Sequence, residues 1–117
     1  MAAACNVDEH ARRAPRAAPT NAEYYDAVAL FRALADISRL RLIVRLAEGE
    51  WCLTELAQEA KATLPAVSQQ LKILKAARIV ANRRAGRHVY YSLHDTHILE
   101  LVQNALIHVA EEMRSPP

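Results

Sequence analysis

Along most of this chain apolar residues recur three and four positions apart, the spacing of one helix face. Over residues 22–34 the stripe is Val28, Phe31 and Leu34, with Asn21 placed to cap it. A second stripe, Leu40, Ile43, Val44 and Ala47, follows Asp36, another capping residue, and stops at Gly49. "CLTELAQEA" reads as a short third helix with Leu53, Leu56 and Ala57 inward. Thr63 caps a fourth, and Pro65 lies in its first turn, where a missing N–H costs nothing. Val67, Leu71 and Leu74 line that helix's inner face. At Ile79 the period changes. "IVANRR" and "HVYYSL" are short β-prone runs joined by Ala85-Gly86-Arg87, which predicts a hairpin. The helical period returns at Asp95 and holds to about Met113.

The flanks lack this order. Residues 1–21 are rich in Ala, Arg and Pro, and Pro15 and Pro19 interrupt any helix, so a flexible tail is expected there. Residues 114–117 form a frayed end. Between them, residues 22–113 make one domain, as a length of 117 residues implies. With 52% hydrophobic residues and only 2 Gly, the expected fold is mainly α with a small β-hairpin. A short helix, a tight connection and a capped helix make a helix-turn-helix, and the hairpin after it makes a winged one.

Charge sharpens this. The net charge is only +2, but residues 61–92 carry seven basic side chains and no acid. The rest holds eight basic residues and thirteen acids, a net −5. A basic segment on an acidic body suits a polyanion, here double-stranded DNA. Thr63, Pro65, Ser68, Gln69 and Lys72 lie away from the inward face of the fourth helix, where small polar groups and an amide can read base edges. Arg83, Arg84 and Arg87 on the hairpin can hold phosphates or enter a minor groove. The competing view is that these are ordinary surface polars.

"FRALADISRLRLIVRL", "CLTELAQ", "PAVSQQLKILKAARIV" and "RRAGRHVYYSLHD", in that order, resemble the ArsR/SmtB family of metal-sensing repressors over roughly residues 22–112. The resemblance implies a homodimer built through the first and last helices, which binds operator DNA and releases it when metal binds. Ile37 stands where the family commonly has Pro.

The last helix carries Asp95, His97, His108 and Glu111. His97 and His108 are eleven residues apart, so they share a face but are separated by about 16 Å of helix rise. One straight helix cannot bring them to one ion. His108 and Glu111 converge at i, i+3, and Asp95 reaches His97 from an N-cap position. Two such helices, antiparallel across a two-fold axis, would create two equivalent four-donor sites. Two imidazoles and two carboxylates suit zinc, with cobalt, nickel or cadmium as alternative effectors. The spacing also resembles the last-helix zinc site of the family. His94 and His88 are not included in the set.

A second, weaker candidate metal site comprises Cys52 and Glu55 with Cys5 and His10 from the tail; some family members bind soft metals at these places. Cys-x-Cys, the arsenic-responsive pattern, is broken by Thr54. The resemblance further implies that His108 reaches the Arg78 carbonyl, an allosteric link from metal to reading head.

Other classes fit less well. Two cysteines make no disulfide framework. No apolar run approaches a membrane span, so no membrane partner and a cytoplasmic location are expected. Four protein ligands would close a zinc shell that catalysis needs open, and no phosphate-cradling Gly loop occurs, so no enzyme is expected. The main alternative is a winged-helix repressor that responds through Cys52 to a soft metal or thiol chemistry.

Overall fold

The computed structural model describes Ala4 and residues 17–114. Its elements are α1 (Asn21–Leu34), α2 (Ile37–Leu46), β1 (Trp51–Cys52), α3 (Leu53–Ala60), α4 (Leu64–Ala76), β2 (Val80–Ala85), β3 (His88–Leu93) and α5 (Thr96–Arg114). Helices α3 and α4 are the helix-turn-helix, and the β2–β3 hairpin is the wing.

Local chemistry fixes most boundaries. Helix α1 is capped by Thr20, one residue before the expected Asn21. The Thr20 hydroxyl accepts the Glu23 N–H at 3.1 Å, and the Glu23 carboxylate accepts the Thr20 N–H at 3.1 Å. Two orphan donors are satisfied reciprocally, which one Asn side chain cannot do. Asp36 caps α2 as expected, accepting the Arg39 N–H at 3.0 Å. Helix α3 follows Cys52, whose N–H donates to the Glu55 carboxylate at 3.0 Å. It ends at Lys61, in the left-handed region at φ 53. Thr63 then caps α4 through the Ala66 N–H at 3.3 Å.

The core forms where α2, α3, α4 and the sheet meet. Ile43, Leu71, Leu74 and Ile79 are fully buried, with Leu56, Val67 and Val80 beside them. The α2 stripe differs from expectation. Leu42, Ile43 and Leu46 face inward, Leu40 and Ala47 are half-buried, and Val44 is exposed. The helix is rolled toward α3 and α4, so its inward line runs through 42, 43 and 46. Val44 instead lines an open groove of about 540 Å³ with Ile37, Leu40 and Leu106.

The sheet has three strands in the order β1-β3-β2, all antiparallel. The extra strand is Trp51–Cys52, which pairs with Tyr91 and Tyr90. Two residues are too few to show a period of two, so the pattern along the chain did not reveal it. The hairpin turn is tighter than predicted, since Ala85 pairs with His88 and only Gly86 and Arg87 lie between the strands. Gly86 takes φ 61 there, the left-handed conformation of a two-residue hairpin turn.

Helices α1 and α5 keep apolar faces in the open. Val28 and Phe31 of the α1 stripe are exposed, as are Tyr24 and Tyr25 on α1 and Leu106, Ile107, Val109 and Met113 on α5. Only Ile98 and Val102 tie α5 into the core.

Candidate functional site

Helix α4 presents a polar face opposite its buried one. Thr63, Pro65, Ser68, Gln69 and Lys72 are all exposed, while Val67, Leu71 and Leu74 are buried. The Thr63 hydroxyl oxygen already accepts the Ala66 N–H, which leaves its O–H to donate and one lone pair to accept. Behind this face, Arg39 holds the helix in place. Its Nη1 donates to Gln70 Oε1 at 3.0 Å, its Nε to the Ala33 carbonyl at 2.6 Å, and its Nη2 to the Arg32 carbonyl at 3.4 Å. One guanidinium thereby joins the end of α1, the start of α2 and the middle of α4.

On the wing the three arginines are not equivalent. Arg83 donates from Nε and Nη2 to the two oxygens of Glu50, at 2.9 and 2.6 Å. Its guanidinium also lies 4.6 Å from the centre of the Tyr90 ring. The hydrogen bond to Arg83 holds the Glu50 carboxyl below its ordinary value. Arg84 and Arg87 are exposed and have no ion pair among the described residues. Glu50 drew no attention in the sequence. Its only signal is its place one residue before β1, and β1 itself was not legible.

The four last-helix donors fall into two pairs. Asp95 sits at the N-cap of α5, where Oδ1 accepts the Ile98 N–H at 3.1 Å. The same oxygen lies 3.7 Å from His97 Nδ1, and His94 Nδ1 is 3.1 Å from Oδ2. These contacts, the His94 hydrogen bond first and the Ile98 N–H second, hold the Asp95 carboxyl below its ordinary value. His97 is exposed and open to an ion. His108 and Glu111 are exposed one turn apart toward the far end of the same unbroken helix. Among the described residues of one protomer, no three His, Cys, Asp or Glu side chains converge on a point. The four donors therefore do not meet within one protomer.

The Cys52 region is less open. Cys52 is buried and free, and Glu55 is committed to its N–H. Cys5 and His10 lie outside the described residues. Arg78, at the end of α4, adopts φ 59 and is exposed. No hydrogen bond joins His108 to its carbonyl within the described part of one protomer.

The sequence matches a family model described as "Bacterial regulatory protein, arsR family" over residues 36–82, from the α2 cap into the wing. It is 42% identical over 96 residues to the HTH-type transcriptional repressor SmtB of Mycobacterium tuberculosis, covering 81% of this chain and 71% of that one. The chain belongs to the arsR family. It is also 49% identical over 81 residues to a transcriptional repressor SmtB homolog of Synechocystis, across 69% of this chain. It spans 61% of that relative's length. Two solved structures share the fold of this ArsR-family chain. One is the homodimeric winged helix-turn-helix DNA-binding domain of a possible ArsR-family regulator from Mycobacterium bovis. Its TM-score is 0.77 and its identity 25%, over 84% of this chain and 94% of that one. The other is the antimony-specific transcriptional repressor AntR, with TM-score 0.73 and 35% identity over 86% and 91% of the two chains. The fold is thus a winged helix-turn-helix, and the family is one of DNA-binding regulators rather than enzymes. No helix among the described residues is long and apolar enough to cross a membrane.

Proposed function

We propose that this chain is a homodimeric repressor that holds operator DNA with α4 and the wing and lets go when zinc binds between the two α5 helices. The observation that carries the reading is the splitting of one donor set over the two ends of α5. Asp95 and His97 lie 3.7 Å apart at one end, His108 and Glu111 stand one helical turn apart at the other, and two donors alone do not fill a zinc shell. An antiparallel partner helix supplies the missing half twice over. The exposed apolar faces of α1 and α5 give that partner its surface.

The donors fit the ion. Two imidazoles and two carboxylates make a closed four-ligand shell of the kind zinc takes in non-catalytic sites. Asp95, kept ionised by its hydrogen bonds, is ready to ligate without losing a proton first. Zinc, or cobalt, nickel or cadmium in its place, would supply a fixed charge that ties the two α5 helices at one angle. Helix α5 leaves the sheet directly after β3, so that angle governs how far apart the two reading heads stand. The free ring N–H of His108 requires an acceptor in the loaded dimer. The carbonyl of Arg78, at the root of the wing, is the acceptor this reading assigns.

The test is fluorescence anisotropy on a labelled duplex that the wild-type protein selects from a random-sequence pool. Zinc should release the wild type and leave His97→Ala/His108→Ala bound. Equal release of both would sink the α5 reading and turn attention to Cys52, with Cys52→Ser as the next variant.

A further inference from the structure

We infer that Arg83 positions the wing rather than contacting DNA, with Glu50 as its partner, and that Arg84 and Arg87 are the wing's phosphate contacts. This rests on the reading of the chain as a DNA-binding regulator, and it revises the role of one residue in that reading.

The sheet register lines up one residue from each strand. Arg83 on β2 stands directly opposite Tyr90 on the central strand β3. Tyr90 in turn stands opposite Cys52 on β1, and Glu50 lies two residues earlier, on the same side of the strand. The Arg83 side chain therefore crosses the width of the sheet, over the Tyr90 ring, to grip Glu50 at the head of β1. It straps all three strands. Strand β1 has only two residues and little ladder of its own, so a side-chain strap bears much of its attachment to the wing.

The same geometry removes Arg83 from DNA. Nε and Nη2, one of the two bidentate edges of the guanidinium, are both spent on one carboxylate, whose negative charge offsets that of Arg83 and faces any approaching phosphate. To take a phosphate instead, Arg83 would have to leave Glu50 ionised and facing the duplex. Arg84 points to the other side of the strand, opposite Val89, and Arg87 sits in the turn. Both are exposed near the wing's tip and have no ion pair among the described residues.

The experiment compares variants by anisotropy on the selected duplex across a salt series. Each phosphate contact contributes about 1 to the slope of log K against log salt. Arg84→Ala and Arg87→Ala should each flatten the slope by about that amount. Arg83→Ala should weaken binding about three- to tenfold, the worth of an exposed bidentate pair with a ring contact, and leave the slope unchanged. Glu50→Ala should weaken binding too, although it removes a negative charge. The decisive variant is the exchange Glu50→Arg/Arg83→Glu, which rebuilds the strap with the charges reversed. Recovery of binding supports the positioning role. A flattened slope in Arg83→Ala, tighter binding in Glu50→Ala, or an exchange variant weaker than either single change would each overturn it. A wild type with no salt-dependent affinity for any duplex would overturn the DNA-binding reading itself, and the inference with it.

Discussion

Arg39→Ala should be the most informative single change outside the core. The side chain spends three donors: two short bonds, to the Ala33 carbonyl and Gln70, and one long bond to the Arg32 carbonyl. The first satisfies the Ala33 carbonyl at the end of α1, and the third adds a second donor to the Arg32 carbonyl, which already accepts the Ala35 N–H at 3.2 Å. A positive charge there also answers the negative end of the helix. A hydrogen bond to a charged group is worth about 1.5–3 kcal/mol net. Arg39 is only half-buried, so each short bond counts for about 1 kcal/mol and the long one for little. The loss should be about 2 kcal/mol, or roughly 10 °C in Tm for a domain of this size. Arg39→Lys should recover little of it, because an ammonium lacks the fork that meets a carbonyl and an amide at once. The assay is thermal unfolding by circular dichroism at one fixed protein concentration, since dimerisation makes Tm concentration-dependent. A shift below about 2 °C, or a lysine variant equal to wild type, would refute the view that this guanidinium joins α1 to the reading head.

Lys61 occupies the left-handed region with a Cβ, so Lys61→Gly should raise stability by about 1 kcal/mol in urea unfolding, while removing one charge from the basic segment. Leu71→Ala opens a cavity at a fully buried site behind the α4 reading face and should cost about 2–5 kcal/mol in the same measurement. Glu23, Glu50 and Glu55 are held below their ordinary value of 4.5, and Asp95 below 3.8, each first by a hydrogen bond that only the fold supplies. The folded state then binds fewer protons than the unfolded chain in that range. Tm should be steady above those values and fall as acid drives the pH through the lower folded ones. A Tm that holds or rises in acid would contradict this.

The elements that could be read from the sequence are those whose evidence is local. Asp36 and Thr63 cap their helices as their positions foretell, and the inward triad Val67, Leu71 and Leu74 needs only a period of 3.6. The cap at Thr20 was legible in principle, since Thr-x-x-Glu is the signature of the reciprocal box; Asn21 masked it as an equally good single cap. The roll of α2 was not legible, because Leu42 and Val44 are both apolar and only the approach of α3 and α4 decides between them. Strand β1 and the Arg83–Glu50 pair depend on contacts across the whole reading head. No local pattern encodes them. On α5 the spacing of the donors was plain, and so was the fact that one helix cannot unite them.

The strand order β1-β3-β2 has a consequence for how the chain acquires its structure. Trp51 and Cys52 leave the ribosome well before Tyr90 and Tyr91, the residues they pair with, and the entire helix-turn-helix is made in between. The helices rest on neighbours close in sequence and can assemble as they emerge. The sheet cannot, because its central strand is the last of the three to be made. Closing that long loop is the slow, non-local step. The nascent protein should therefore hold its recognition helix before it holds its wing, and early refolding intermediates should protect α4 amides from exchange while those of β3 still exchange freely.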